Sequence, residues 1–462
     1  MAYGKTIAAI STPSGKGGVA IIRISGELSL DIIRKIFFPR GKRAPENAPR
    51  MAIYGDIRYN NEYIDDGIAI YYKAPYSYTG EDTVEISCHG GTLVTKRVLE
   101  AAFMAGATPA GPGEFTERAF INGRLSLTEA EAISDLLEAK SYEQIKLSSL
   151  PMRERLKGAV SDIRDSLISL LSSVFARIDY PDEDLGDFTD EETRDALIAI
   201  KYKLEALLRT YPTGKAIRDG VYTVIAGKCN VGKSTIYNAI LGEDAAIVTD
   251  IEGTTRDVLY STVAIGKVLL RLADTAGMRS SEKADTVEKI GIERSLKAIS
   301  EAELVIAVFD GSRKIDSDDE RLIEIMRSCT AAKIAIINKS DLDTKFDENA
   351  ISGIFDKVLH TSAMVNSADT AALISNAVDT LFTDDSVIAQ DTAIVSSARH
   401  NASLSRALEY VNAAISAINS GIYADAAASE IERALGAISE VDGREVSEAV
   451  LSDIFSKFCV GK

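Results

Sequence analysis

The sequence has few of the features that cross-link a chain through disulfides or metal sites, or that anchor it to a membrane. Its 4 cysteines are widely separated, without a C-x-x-C pair, and none of its 3 histidines has metal-ligand spacing to a cysteine or another histidine. This argues against a disulfide framework and a zinc site, and it predicts reduced thiols in the cytoplasm. No window of about 18 residues is both apolar and uncharged, so we expect no membrane span. Residues 1–5 lead directly into a predicted strand, so we expect no signal peptide.

Positive charge is also scarce. The 462 residues include 52 Lys and Arg against 69 Asp and Glu, which gives a net charge of −17. Proteins that hold nucleic acid by themselves usually show a strong basic surface, so we expect any nucleic-acid contact to be local or made through a partner. The length predicts about two to four domains, and the 46% apolar content is typical of a soluble globular protein.

The densest motif is Gly227–Ser234, which reads G-x4-G-K-S. The apolar run Val221–Ala226 before it predicts a buried strand, and Thr235–Leu241 after it predicts a helix. Glycines allow the backbone to curl so that successive N–H groups and the helix N-terminus face an anion. In such a P-loop, Lys233 reaches the β- and γ-phosphates and Ser234 binds Mg²⁺. Taken alone, the motif is equally compatible with an ordinary glycine turn.

Two further motifs follow predicted strands. Asp274–Gly277 follows Val268–Ala273, which places a carboxylate near the metal and a glycine N–H near the γ-phosphate. Asn338–Asp341 follows Ile334–Ile337. The Asp341 carboxylate can accept from both N1–H and the exocyclic amine of guanine, a donor pair that adenine lacks. These motifs therefore select for GTP.

Two polar loops complete the set. Thr361–Ala363 can offer a backbone N–H to guanine O6, and Gly253–Asp257 can order around Mg²⁺ and the γ-phosphate. Five elements in this order predict a guanine-nucleotide-binding domain. Ras-like enzymes place a glutamine after the Asp-x-x-Gly motif to orient water, but this chain has Met278, and no arginine stands out as a finger in cis. Hydrolysis therefore requires another water-positioning group and another cation; Asn230 could bind a monovalent cation or simply form a turn.

The flanking segments differ in character from the nucleotide domain. Residues 1–119 alternate short strands and turns, with a glycine-rich loop at Gly15–Gly18 that we interpret as a flexible hairpin loop. A capping-box pattern at Ser126–Glu129 predicts a helix start, and the acidic Pro181–Asp184 is interpreted as a solvated loop. The predicted fold is multidomain α/β and α+β: an α+β N-terminal domain (1–119), a helical domain in two parts (120–215 and 385–462), and an inserted P-loop GTPase domain (216–384) with a mostly parallel sheet and helices on both faces.

Several motifs outside the nucleotide domain are specific. The chain resembles the MnmE (TrmE) family of tRNA-modification GTPases over essentially its whole length. The matching stretches are Arg23–Gly26, Thr79–Asp82, His89–Gly91, Pro112–Phe115, Gly253–Asp257, Asp274–Gly277, Ile290–Arg294 and Phe458–Lys462. Val460 replaces the usual isoleucine, and Arg124 stands where relatives often carry lysine, which keeps the charge but changes its geometry.

The resemblance implies a folate-binding N-terminal domain that forms a homodimer. It also implies a heterotetramer with the FAD-dependent MnmG (GidA) protein, which would make most of the tRNA contacts. Together they would add an aminomethyl or carboxymethylaminomethyl group to C5 of the tRNA wobble uridine. A one-carbon folate (5,10-methylenetetrahydrofolate or 5-formyltetrahydrofolate) would contact Arg23, Glu81, Arg124 and Lys462. Cys459 matches the cysteine of the C-terminal motif, with a chemical or a structural role.

The resemblance also implies ion ligands. K⁺ would be held by Asn230, Thr249, Ile251 and Thr254, and Mg²⁺ by Ser234 and Thr255. Glu288 matches a water-positioning acid, although its residue pattern alone is that of a solvated helix position. The predicted catalytic residues are Glu288, Lys233 and Asp274, and the predicted GTP contacts are Asn230, Val231, Gly232, Lys233, Ser234, Thr235, Thr249, Asp250, Ile251, Glu252, Gly253, Thr254, Thr255, Asp274, Thr275, Ala276, Gly277, Asn338, Lys339, Asp341, Ser362 and Ala363.

An alternative of another class is a ribosome- or RNA-associated GTPase switch of the Era-like kind. Such a protein would be expected to carry a basic RNA-binding module in place of the folate-type domain and the Phe458–Lys462 end. The acidic balance of the chain also tells against it.

Overall fold

The computed structural model describes residues 4–179, 189–242, 260–273, 296–389, 392–420, 424–444 and 446–461. The chain divides into two compact units, Met1–Leu137 with Ile438–Lys462, and Glu138–Ala437. The strands of the first unit are β1 (Ile7–Ile10), β2 (Val19–Ser25), β3 (Phe37–Pro39), β4 (Ile53–Tyr59), β5 (Glu62–Tyr72), β6 (Thr83–His89) and β7 (Thr108–Pro109). Those of the second are β8 (Val221–Ala226), β9 (Tyr260–Ile265), β10 (Val268–Ala273), β11 (Leu304–Asp310), β12 (Ala332–Asn338) and β13 (Lys357–Thr361).

The strands of the first unit form one sheet in the order β3-β4-β5-β6-β2-β1-β7. All pairs are antiparallel except β1 with β7. In β6, Val84, Ile86 and Cys88 are buried and alternate with more exposed residues, as the two-residue period of a strand dictates. Helices Ser29–Ile36 and Thr92–Ala105 contact each other and pack on this apolar face. Each isoleucine buried there contributes about 1.5–3 kcal/mol.

Short helices complete the first unit: Glu114–Ile121, Leu127–Glu138 and Glu448–Ser456. The capping box is formed, because Ser126 Oγ accepts from the Glu129 N–H and the Glu129 carboxylate accepts from the Ser126 N–H. The helix before Asp442 ends at Val441, and Gly443 has a positive φ of 82°. The helix start predicted at Ser126–Glu129 is therefore present.

In the sequence, the second unit has helices both before and after the stretch that contains its strands, β8 to β13. They are Tyr142–Leu147, Leu150–Asp179, Asp190–Arg209 and Tyr211–Asp219 before β8, and Asp385–Ala389, Ala398–Asn419 and Ala424–Val441 after β13. Helix Asp190–Arg209 packs on helix Ala398–Asn419. Thr189 caps the former in a capping box with Glu192. Helices that precede β8 and helices that follow β13 in the sequence thus pack together, as their separate apolar faces require.

The sheet of the second unit has the order β13-β12-β11-β8-β10-β9. Its pairs are parallel except β9 with β10. Every residue of β11 is buried. Leu304, Ile306 and Val308 face one apolar cluster with helices Lys233–Leu241 and Ser367–Phe382, while Val305, Ala307 and Phe309 face another with helix Ser317–Ser328. Helices on both faces of a mostly parallel sheet confirm the predicted fold class.

The glycine-rich loop Gly15–Gly18 joins the antiparallel strands β1 and β2. The Gly17 N–H donates to the Gly90 carbonyl at 3.0 Å. A Cβ on Gly90 would lie 2.5 Å from the Gly17 carbonyl oxygen, so this approach requires glycine. The Gly15–Gly18 and His89–Gly91 motifs are thus packed backbone to backbone. Among the described helices, none combines the length and apolar character needed to cross a bilayer.

His89, in the same motif, bonds to a carboxylate on the neighbouring strand. Asp65 pairs with His89 Nδ1 at 2.8 Å and accepts from the His89 backbone N–H at 2.8 Å. Asp66, beside it, accepts from the Tyr63 and Tyr54 hydroxyls. The three titratable side chains are close enough to share a cation, but the oxygens of both carboxylates already accept hydrogen bonds, so the arrangement is satisfied without one.

We predict that the pKa of His89 lies above its ordinary value of 6.5, chiefly because of the hydrogen bond to Asp65 and with a smaller effect from the Asp66 charge. The interaction of protonated His89 with Asp65 stabilises the folded state in full below about pH 6.5, the ordinary pKa of the unfolded chain. This stabilisation is lost as the pH rises through the higher pKa of the folded state. An NMR titration of the His89 ring measures the shift. Asp65→Asn should return the pKa towards 6.5, whereas Glu62→Gln, on the same strand, should leave it raised. An unshifted pKa in the wild type would contradict this assignment.

Candidate functional site

The loop after β8 has a backbone that requires glycine at two positions. Gly227 and Gly232 have positive φ angles of 149° and 105°. A Cβ on Gly227 would lie 2.5 Å from the Val308 carbonyl oxygen, and one on Gly232 would lie 2.1 Å from Asn338 Nδ2. Asn230 also has a positive φ of 65°, which asparagine tolerates better than most residues. The turn role of Asn230 is therefore present, and its cation role stays a prediction.

Lys233 lies at the start of the helix that follows this loop. The helix runs from Lys233 to Leu241, and its N-cap residue, Gly232, provides no side chain to occupy the first N–H groups. Those N–H groups and the positive end of the helix dipole suit an anion. Lys233 Nζ donates to the Gly227 carbonyl at 2.8 Å and to the Lys228 carbonyl at 2.7 Å. The ammonium is thus held across the mouth of its own loop by two backbone carbonyls.

Asn338 connects the loop to the predicted base-recognition motifs. Its side chain is buried, and its Nδ2 donates to the Val231 carbonyl at 2.9 Å. Its Oδ1 accepts from the Ala363 N–H at 3.1 Å and from Thr361 Oγ1 at 3.2 Å. The structure therefore brings the P-loop, Asn338 and the Thr361–Ala363 loop together, as the five-motif interpretation requires.

Asp341 lies at the exposed end of the same cluster. Its carboxylate accepts a hydrogen bond from the Ser362 hydroxyl, which is a second contact between the Asn338–Asp341 motif and the Thr361–Ala363 loop. Lys339 Nζ pairs with Asp310 at 2.6 Å, at the end of β11. Burial would raise the pKa of Asp310, but hydrogen bonds from Lys339 and Ser312 hold it below its ordinary value. Asp310 is therefore ionised and fixes Lys339 beside Asp341.

Several predicted site residues lie outside the described residues. They include the expected metal partners of Ser234 and Asn230 and the water-positioning acid: Thr249, Asp250, Ile251, Glu252, Gly253, Thr254, Thr255, Asp274, Thr275, Ala276, Gly277, Glu288 and Lys462. Of the predicted ion ligands, the structure describes Ser234, which is half-buried at the helix start, and Asn230, which is exposed. Val231 is buried and Thr235 half-buried, both on the same loop and helix.

A second polar cluster lies in the first unit, around Arg23 on β2. Arg23 pairs with Glu85 at 2.9 Å across the β2–β6 register. Its guanidinium carbon lies 5.1 Å from the centre of the Tyr78 ring and 5.6 Å from that of Phe115. Both distances are within the range of a cation–π contact. Arg23 is thus held by a carboxylate and two aromatic rings.

Glu81 belongs to the same cluster. Its carboxylate accepts from Ser25 Oγ at 2.8 Å and pairs with Arg118 at 3.0 Å. The Arg118 side chain is 1% exposed and pairs also with Glu114 at 2.7 Å. A buried guanidinium requires such compensation, because an unpaired buried charge is strongly destabilising. Removal of Glu81 would therefore disturb the fold as well as any ligand.

Arg124 and the C-terminal segment approach this cluster. A Cβ on Gly80 would lie 3.2 Å from Arg124 Cγ, so Arg124 packs beside the Thr79–Asp82 motif. The Gly461 carbonyl accepts from Ser11 Oγ at 2.9 Å, and the Cys459 carbonyl accepts from the Gly113 N–H at 3.4 Å. The Cys459 side chain is exposed. The Pro112–Phe115 motif and the C-terminal motif are thus neighbours, and Ser11 contacts Gly461 across 450 positions of sequence.

Sequence reasoning gave no role to several members of this cluster: Ser25, Tyr78, Glu85, Glu114, Phe115 and Arg118. Ser25, Glu114 and Phe115 lie inside motifs that carried the family resemblance, but the pattern alone did not assign them a function. Glu85 had a signal, since it lies on the less buried face of β6 and carries a charge opposite to that of Arg23 in β2. That signal becomes readable only when the register of the two strands is known.

The parallel sheet, the glycine loop with its lysine and the exposed Asp341 define a P-loop GTPase. The family model described as "GTP-binding protein TrmE N-terminus" matches residues 6–124, and that of the "MnmE helical domain" matches residues 127–459. The protein named tRNA modification GTPase MnmE from Thermotoga maritima is 40% identical over 459 residues, which is 99% of this chain and 100% of that protein. The protein of that name from Alkaliphilus metalliredigens is 38% identical over 462 residues, 99% of each chain. The chain belongs to the MnmE family of tRNA modification GTPases.

We predict that Asp341→Asn changes the base preference. The amide presents an NH₂ group to the guanine donors, so GTP affinity should fall by about 2–4 kcal/mol, as for a mispaired hydrogen bond to a charged group. A xanthine nucleotide, which offers an acceptor there, should bind better than GTP. Competition between the two nucleotides measures the preference. Asp343→Asn, an exposed carboxylate two residues further on, is the matched control, and unchanged GTP affinity in Asp341→Asn would remove Asp341 from the site.

Proposed function

We propose that this chain is a cytoplasmic, GTP-hydrolysing enzyme of tRNA wobble-uridine modification. With an FAD-dependent MnmG (GidA) partner and a one-carbon folate, it adds an aminomethyl or carboxymethylaminomethyl group to C5 of that uridine. The observation that carries the proposal is the similarity over 99% of the chain to proteins named tRNA modification GTPase MnmE. The net charge of −17 supports a division of labour in which the partner makes most of the tRNA contacts.

For the nucleotide, we propose that Lys233 and the first N–H groups of its helix hold the phosphates while Asp341 selects guanine. Support comes from the position of Lys233 across the loop and from the exposure of Asp341. Mg²⁺ would be held by Ser234 and Thr255, with Asp274 near it, since a hydroxyl oxygen at the helix start suits a hard cation. The metal would neutralise the charge that develops on the phosphates. Glu288 would position the attacking water.

For the folate, we propose contacts with Arg23, Glu81, Arg124 and Lys462 in a homodimeric N-terminal domain. The cluster fits a flat, polar heterocycle with an acidic tail. The Arg23 guanidinium lies against two aromatic rings, and Glu81 is an acceptor held in place by Ser25 and Arg118. The bound folate would supply the one-carbon unit, and the residues of this chain would orient it. The exposed Cys459, whose carbonyl is anchored to Gly113, is a further candidate in this region.

The wobble-uridine content of bulk tRNA tests the proposed function. A strain that lacks this gene should lose the C5 modification, and the wild-type gene should restore it. Arg23→Ala should not restore it, because the proposed folate contact is lost. Arg34→Ala, which removes an exposed arginine paired with Asp31 and Glu46 at the surface, should restore it fully. Unchanged modification in the deletion strain would refute the function, whereas full restoration by Arg23→Ala would refute only the folate assignment.

We predict that potassium, but not sodium, raises the rate of GTP hydrolysis. The chain has Met278 where Ras-like enzymes have glutamine and lacks an evident arginine finger, so another cation must stabilise the transition-state charge. K⁺ held by Asn230, Thr249, Ile251 and Thr254 would supply it and would favour pairing of two GTPase domains. Phosphate release in matched KCl and NaCl measures the effect, and GDP–AlFx traps the paired state.

Asn230→Gly is the sharpest variant for this test, because glycine keeps the positive φ of 65° while removing the amide. It should lose the potassium stimulation and retain GTP binding. Asn238→Ala removes an exposed amide from the following helix and should behave as the wild type. Equal rates of hydrolysis in the two salts would overturn the potassium mechanism.

A further inference from the structure

Lys228, inside the nucleotide loop, forms ion pairs outside it. Its Nζ lies 2.6 Å from an Asp316 oxygen and 2.7 Å from an Asp319 oxygen. Asp316 is the N-cap of helix Ser317–Ser328, and Asp319 is in its first turn. The side chains of Lys228 and Asp319 are 13% and 5% exposed, so this contact is shielded from water. The second position of the loop is therefore tied to a helix on the far side of β11.

The two carboxylates are themselves fixed by the helix. Asp316 Oδ1 accepts from the backbone N–H groups of Asp318 and Asp319, and Asp319 Oδ2 accepts from the Asp316 N–H at 3.3 Å. Carboxylates are favoured at this end of a helix. Burial would lower the pKa of Lys228, but its bonds to Asp316 and Asp319 more than offset this, and the pKa is raised. Lys228 is thus a charged side chain with a preset position.

The backbone of Lys228 contacts the lysine that is expected to hold the phosphates. The Lys228 carbonyl accepts from Lys233 Nζ at 2.7 Å, and the neighbouring Gly227 carbonyl accepts at 2.8 Å. One residue therefore bonds the helix Ser317–Ser328 through its side chain and Lys233 through its carbonyl. The anchored Lys228 side chain restrains the backbone that carries this carbonyl. The chain of contacts runs from Asp319 to Lys228 to Lys233.

We propose that Asp316 and Asp319, acting through Lys228, are positioning residues for the GTP phosphates. They hold the loop in the curvature that aims Lys233 and the loop N–H groups at the anion. Lys228 also neutralises carboxylates that would otherwise repel a triphosphate. This inference rests on the proposed nucleotide site and assigns the loop an external anchor. The second position of the loop is thus a determinant of nucleotide affinity, although its side chain points away from the ligand towards another helix.

The test is a set of titrations with a fluorescent, non-hydrolysable GTP analogue, each paired with a thermal melt without nucleotide. Lys228→Met and Asp319→Asn should each raise the dissociation constant about tenfold, the scale of losing one hydrogen bond between charged groups. The double variant should bind no more weakly than Lys228→Met, since Asp319 acts only through Lys228. Lys228→Arg, which keeps the charge and reach, should bind within a few-fold of the wild type. Asp318→Asn removes a charge from the same helical turn and should bind as the wild type.

The outcomes separate the possible roles. Single variants that melt earlier but bind the analogue unchanged would make the ion pairs structural only and overturn the proposal. So would additive losses in the double variant, or an equal loss in Asp318→Asn. If Lys228→Met does not fold, the dissociation constants of Asp319→Asn and Asp318→Asn are compared instead. A weaker affinity in Asp319→Asn alone supports the proposal, and equal affinities overturn it. If the wild type fails to bind the analogue, the nucleotide site itself is refuted. If the wild type binds the analogue and the variants bind it equally well, only the proposed role of the ion pairs is refuted.

Discussion

The carboxamide of Asn338 links segments that are far apart in the sequence, and the nucleotide face of the sheet depends on this link. Its NH₂ group can only donate and its oxygen can only accept, which matches a carbonyl on the Val231 side and an N–H with a hydroxyl on the Ala363 and Thr361 side. An aspartate there would set a charge against the Val231 carbonyl. The close approach to Gly232, where no Cβ fits, follows from the same contact. One buried group therefore fixes the glycine loop against the Thr361–Ala363 loop.

A second constraint comes from acidic residues at the end of β11 and in the segment that follows it. Asp310 holds Lys339, close in sequence to Asp341, the proposed guanine-recognition carboxylate, and Asp316 with Asp319 holds Lys228 in the glycine loop proposed to bind the phosphates. Both lysines belong to predicted nucleotide motifs, but each ammonium group is held by carboxylates from outside its own motif. Because every residue of β11 is buried, its end is a rigid base for these contacts. The central strand thus aligns the base side of the site with its phosphate side.

Much of the fold is predictable from the sequence, because its signals are local. Apolar runs predicted the strands Val221–Ala226 and Val268–Ala273, and the capping box at Ser126–Glu129 predicted a helix start, since each depends on residues within a few positions. The pairing of Arg23 with Glu85 and the burial of Arg118 were missed, because they depend on strand register and on packing between distant segments. The three predicted boundaries between the four segments (1–119, 120–215, 216–384 and 385–462) stay predictions beside the two compact units. The ligand assignments also stay predictions, because the identity of a residue does not show which ligand it binds.

The two candidate sites share an electrostatic design that suits an acidic protein with anionic ligands. Arg23 is paired with Glu85, Arg118 with Glu81 and Glu114, and Lys228 with Asp316 and Asp319. Such pairs present little net positive charge to a passing polyanion, so non-specific attraction to nucleic acid is weak. Binding must then depend on groups with fixed geometry, such as helix N–H donors and Lys233, whose two carbonyl contacts a phosphate can replace. Selectivity for a specific small anion is thereby compatible with a net charge of −17.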